Sequence, residues 1–110
     1  MNPTDLAFMA AVEQARLVRC GELTPLDLVQ VYLDRIQQLD GRLGSYVVVA
    51  AERAIAEAKA KTEQLQTTPV EELPPLFGVP ISIKDLNPVA GLPCAYGVRW
   101  SKGRMATTDD

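Results

Sequence analysis

Leu76-Phe77-Gly78-Val79-Pro80-Ile81-Ser82-Ile83-Lys84-Asp85 carries more information than any other ten residues of this chain. Its second half alternates, so a strand over Ile81 to Lys84 puts Ile81 and Ile83 on one face and Ser82 and Lys84 on the other. Pro80 has no amide hydrogen and fits only the beginning or the edge of such a strand. A lysine that ends an apolar strand after a Gly-x-Pro turn is flanked by core. Desolvation there disfavours the ammonium and leaves a neutral amine that can act as a base. The same placement suits a lysine that snorkels to the surface or pairs with Asp85. Ser82, two residues earlier on the same face, raises a Ser-Lys dyad and equally well fills a sheet face as a small polar residue.

Upstream the periodicity is helical. Thr4 to Cys20 carries Leu6, Met9 and Val12 at helical spacing, with Thr4 as N-cap, Arg16 and Arg19 in the last turn and Gly21 as the stop. Thr24 to Asp40 is marked more strongly: Thr24 is the N-cap, Pro25 sits at N1 and Asp27 stands at the N3 position of a capping box. Its stripe is Leu26, Val29, Leu33, Ile36 and Leu39, and Gly41 ends it. Only Gly21-Glu22-Leu23 separates the two helices, so they are expected to pack as a hairpin. Tyr46-Val47-Val48-Val49 reads as a short buried strand. Ala50 to Gln66 reads as an alanine-rich helix with the narrow stripe Ala51, Ala54, Ile55, Ala58 and Leu65, supported by a Glu57 to Lys61 pair. Pro69, Pro74 and Pro75 make the next stretch a surface connection, and the residues after Asp85 are irregular.

These elements give an α/β fold class in one domain: a helical hairpin over 1–43, a strand and helix over 44–66, a connection over 67–75, and over 76–110 the strand with Lys84 and its following loop. The sheet is expected to be incomplete, because two short strands are marginal in water by themselves.

Composition narrows the function. Of 110 residues, 47% are hydrophobic and 23% charged, and 11 Lys+Arg against 14 Asp+Glu leave a net charge of -3. There is no basic stripe for a phosphate backbone, so no nucleic acid is expected as a ligand. With no histidine and only Cys20 and Cys94, the chain cannot assemble a Ser-His-Asp triad, a Cys-His dyad or a histidine- or cysteine-rich zinc site. No metal or cofactor is expected. The apolar stretch Leu6 to Val12 is too short for a bilayer, no targeting signal is visible, and two distant cysteines suit a reducing compartment, so the expected location is cytoplasmic.

The string from Leu76 to Asp85, followed by Val89-Ala90-Gly91-Leu92-Pro93 and Tyr96-Gly97, resembles the N-terminal part of the amidase signature family of hydrolases, and the order of elements upstream follows the same family. The resemblance covers essentially the whole chain. It implies that Lys84 is the base of a Ser-cisSer-Lys triad, taking the proton that a serine on a cis peptide relays from the nucleophilic serine. The substrate it implies is a small-molecule amide, cleaved to a carboxylate and ammonia or an amine. The oxyanion of such a reaction needs backbone N–H donors from a glycine- and serine-rich loop.

By the family's motif order that loop and both triad serines follow the residues present here; Ser45, Ser82 and Ser101 stand in no Gly-Gly-Ser-Ser-Gly context. Cys94-Ala95-Tyr96-Gly97-Val98 replaces a stretch that in the family usually carries hydroxyls, and Cys94 has no base of its own, which makes it a small loop residue. The expectation is therefore a truncated amidase, inactive alone, that meets a complementing chain or self-associates through strand edges. Two other readings are kept: a noncatalytic interaction module that adds its Pro80 to Asp85 strand to a partner's sheet, and part of a glutamyl-tRNA amidotransferase-like subunit.

Overall fold

The computed structural model describes all residues from Met1 to Asp110. Four α-helices form in chain order, α1 (Pro3–Phe8), α2 (Ala11–Arg19), α3 (Pro25–Leu43) and α4 (Ala51–Thr67), with 3-10 turns at Val70–Glu72 and Arg99–Ser101. The chain makes two compact units, one of residues 1–43 and 51–80 and one of residues 44–50 and 81–110.

In the first unit the helix expected over Thr4 to Cys20 is two helices. Met9 and Ala10 are extended, with ψ of 145° and 144°, and neither is a helix breaker. The break is stabilised from a distance: the Gln14 side-chain amide donates to the Leu6 carbonyl at 2.8 Å and to the Tyr32 hydroxyl at 2.7 Å, and Tyr32 donates to the Ala7 carbonyl at 3.1 Å. Side chains thus add donors at the break, to the Ala7 carbonyl and, beside the Met9 amide at 3.2 Å, to the Leu6 carbonyl. The cap of α1 is Asn2, whose side chain accepts from the Thr4 amide at 2.8 Å, and not Thr4.

Gly21 does stop α2. It adopts φ +75°, and the Glu22 and Gly21 amides donate to the Leu17 and Val18 carbonyls, the two bonds of a Schellman motif. The capping box forms as spaced: the Asp27 amide donates to Thr24 Oγ1 at 3.1 Å and the Thr24 amide to Asp27 Oδ2 at 2.9 Å. Gly41 does not end α3. The helix runs through it to Leu43, and Gly44 at φ +62° is the left-handed stop.

In the expected hairpin Val18 of α2 and Leu28 of α3 share one buried cluster, and a further helix joins them. The helix that α3 meets most extensively is α4, and α1 packs beside α3 as well. Thr62 on α4 takes part in the first of these seams, since its hydroxyl accepts from the Leu26 amide, one of the unpaired donors of α3's first turn, at 3.4 Å. Glu57 pairs with Arg53 at 3.0 Å rather than with Lys61, whose ammonium stands 5.1 Å from the centre of the Phe77 ring.

The core of this unit is Val18, Leu28, Leu73 and Phe77, with Leu23 and Leu65 against it. Phe77 draws the start of the Leu76 to Asp85 stretch onto the helices, and the Arg19 guanidinium holds the Pro74 carbonyl at 2.9 Å. Gly78, at φ +81°, passes so close to Pro25 that a Cβ would meet its Cγ at 2.8 Å. The glycine of Gly78-Val79-Pro80 is thus required by packing.

Neither expected strand is part of a β ladder. Tyr46 to Val49 and Ile81 to Lys84 are irregular, and the single β bridge joins Pro93 to Met105. The physical reason is that a strand exists only where an adjacent strand completes the ladder, and neither segment is paired in one. Their apolar side chains are correspondingly exposed, Ile81 to 79% and Val47 to 72%.

Candidate active site

Lys84, the one residue for which the family resemblance implies a catalytic role, lies in the second unit with its side chain exposed. Its backbone is held: the Asn87 amide donates to the Lys84 carbonyl at 3.0 Å, so Lys84 heads a reverse turn over residues 84–87. Asp85, the acid next to it, directs its carboxylate elsewhere. Oδ1 accepts from the Ala95 amide at 2.9 Å and Oδ2 from the Gly97 amide at 3.3 Å. Hydrogen bonds to an ionised acceptor are shorter and stronger than neutral ones, and this pair ties the Lys84 turn to a second turn ten residues on.

That second turn is closed by the Val98 amide donating to the Ala95 carbonyl at 3.1 Å. Both of its central residues are left-handed, Tyr96 at φ +53° and Gly97 at φ +71°. Tyr96 is the one residue other than glycine in that region, a conformation that costs an L-residue about 1–2 kcal/mol. The two amides that Asp85 accepts flank Tyr96 on either side.

Cys94 is buried, and its amide donates to the Arg104 carbonyl at 2.8 Å. The Ala106 amide donates to the Leu92 carbonyl and the Gly91 amide to the Ala106 carbonyl, both at 2.9 Å. Further along, Asp109 Oδ1 accepts from the Ala90 amide at 2.8 Å, the Asp110 amide donates to the Pro88 carbonyl at 2.9 Å, and the Asn87 side chain donates to the Asp110 carboxylate. Residues 87–94 are therefore pinned from one side by 104–110 while Asp85 holds the turn at 95–98. The Tyr96 phenol is pushed above its ordinary pKa, first by the electrostatic influence of the neighbouring Cys94 side chain.

Of the serines, Ser82 is exposed and Ser101 is buried. Asp85 is the residue of this loop cluster whose contacts periodicity does not reveal. Its partners are backbone amides, which leave no mark on a hydrophobic pattern, and the signal available was its place directly after Lys84 in an informative string.

A family model described as Amidase matches residues 27–110, which takes in most of α3 and the whole of the site. The chain belongs to the amidase family. It is 48% identical over 108 residues to a Synechocystis sp. protein described as "Putative amidase", covering 97% of this chain and 21% of that protein. It is 47% identical over 109 residues to "Putative amidase AmiB2" of Mycobacterium tuberculosis, covering 99% and 23%. Similarity to a glutamyl-tRNA(Gln) amidotransferase subunit of Streptomyces coelicolor is lower, 32% over 106 residues, with 96% and 21% covered. The chain thus spans about a fifth of the length of the curated relatives it matches. No helix in it is long and apolar enough to cross a membrane.

Proposed function

We propose that this chain is the base-bearing N-terminal part of a carboxamide hydrolase, with Lys84 as the proton acceptor. The observation that carries the reading is the family match over 27–110 together with a lysine at the head of a hydrogen-bonded turn, where its position is set by backbone rather than by its own contacts. In the reaction a serine supplied by the rest of the enzyme attacks the amide carbonyl. Its hydroxyl proton passes through a second serine to the Lys84 amine. The resulting ammonium returns a proton to the departing ammonia or amine, and water then releases the carboxylate from the acyl-enzyme.

A base must be neutral to accept a proton. Enclosure of the Lys84 side chain by the remaining polypeptide removes the water that stabilises its charge. The same enclosure provides adjacent strands for Tyr46 to Val49 and Ile81 to Lys84, which then become strands of an α/β sheet. The substrate is a small-molecule amide, the reaction needs no cofactor, and the setting is cytoplasmic. The amidotransferase reading ranks second because identity to the amidotransferase relative is lower than to the amidase-described relatives.

The test is a hybrid in which residues 1–110 replace the corresponding fifth of the Synechocystis relative. We expect ammonia release from a panel of carboxamides by the hybrid and none above buffer from the 110-residue chain, which lacks the nucleophile and its oxyanion donors. A folded hybrid that is inert on amides cleaved by its parent would refute the reading.

A further inference from the structure

We propose that Asp85 is a positioning residue for the Lys84 base, a clip whose two carboxylate oxygens hold the Lys84 turn against the 95–98 turn. This rests on the reading of Lys84 as the base, and concerns what keeps that base in place.

The Lys84 side chain is exposed and forms none of the chain's salt bridges, so its position is no better defined than the backbone that bears it. Two devices define that backbone. One is local, the Asn87 amide on the Lys84 carbonyl. The other is the Asp85 carboxylate, which reaches ten and twelve residues along the chain to the Ala95 and Gly97 amides. The second is the only one of the two that joins Lys84 to another loop, and that loop is itself anchored, since the Cys94 amide is bonded to Arg104. Glycine would adopt the left-handed conformation of residue 96 freely, yet a tyrosine is there, held by carboxylate bonds to the amides before and after it. The strain at Tyr96 is thus maintained by the residue adjacent to the base. An error of about 1 Å in the placement of a reacting group costs on the order of a hundredfold in rate, so losing the clip is expected to act on turnover.

The test uses three variants and two measurements. In the 110-residue chain, backbone order by NMR relaxation is expected near 0.85 at the Lys84, Ala95 and Gly97 amides and below about 0.6 at all three in Asp85→Ala. Leu28 and Ala58, in the helical unit, stay ordered. Asp85→Asn keeps one carbonyl oxygen for the Ala95 amide and is expected to restore order there and at Lys84, which keeps the test valid if the alanine variant unfolds. In the hybrid enzyme Asp85→Ala is expected to lower kcat by on the order of a hundredfold with KM unchanged, and Asp85→Asn to recover most of it. An ordered Lys84 amide in Asp85→Ala, or a loss confined to KM, overturns the clip and leaves the base in place. Lys84→Ala that hydrolyses amides normally removes the base, and with it the clip's catalytic role.

Discussion

Gly78 and Pro25 stand so close that a β-carbon on the glycine would lie 2.8 Å from the Pro25 Cγ, with Val18 Cγ1 at 3.3 Å behind it. None of the three can yield cheaply, because Val18 and Pro25 are among the most deeply buried side chains of the chain. Gly78→Ala therefore combines overpacking with a left-handed conformation that alanine resists, and should cost about 3 kcal/mol in urea unfolding. Gly41 is the control. It sits inside α3 with open space around its α-carbon, and Gly41→Ala should stabilise by about 0.5–1 kcal/mol.

The reciprocal bonds of Thr24 and Asp27 form one unit. Thr24→Ala and Asp27→Ala should each cost about 1 kcal/mol. The double variant should cost clearly less than their sum, because either change breaks the box. Full additivity in a double-mutant cycle would show that the two side chains cap independently.

Gln14 is 2% exposed and bridges the helix break by donating to Leu6 and Tyr32. Gln14→Met conserves shape but leaves a carbonyl and a hydroxyl short of a donor, at about 2 kcal/mol. Tyr32→Phe removes both the bond to Ala7 and the acceptor of Gln14, while Gln14 keeps its bond to Leu6, and should cost a little less, about 1.5 kcal/mol. Chemical denaturation of both variants checks the order, and a neutral Gln14→Met would mean that the break between α1 and α2 does not depend on this bridge.

For Lys84 the decisive comparison is between two substitutions in the hybrid enzyme. Lys84→Ala should lower the rate by on the order of a thousandfold, about 4 kcal/mol of transition-state stabilisation. Lys84→Arg should be nearly as damaging, since a guanidinium stays protonated and cannot accept the relayed proton. Steady-state rates that survive in Lys84→Arg would assign the lysine an ion-pairing role.

Tyr96 supplies a pH signature. Its raised phenol pKa means that the folded chain holds the proton more tightly than the unfolded chain does. The associated stability is present below the unfolded value and is lost as pH rises through the folded one. The first cause is the electrostatic influence of Cys94, so Cys94→Ala should move the Tyr96 phenolate absorbance to lower pH. An unchanged titration would show that the two side chains do not interact.

Sequence alone determined the features of this protein whose physics is local. The Thr24–Asp27 box, the Gly21 stop and the alanine-rich α4 each depend on residues within a few positions of one another, so spacing was enough to find them. The family was legible for a related reason, because Gly78-Val79-Pro80-Ile81-Ser82-Ile83-Lys84-Asp85 is a contiguous string. Tertiary structure decided whatever depends on partners distant along the chain. Gln14 and Tyr32 split one periodic helix into two, Phe77 and Gly78 tie the first part of the string to the helices, and Asp85 reaches across to Ala95 and Gly97. The strand-like runs Tyr46 to Val49 and Ile81 to Lys84 mark the limit most clearly: β-propensity is a property of side chains, whereas a strand exists only where a second backbone supplies its hydrogen bonds.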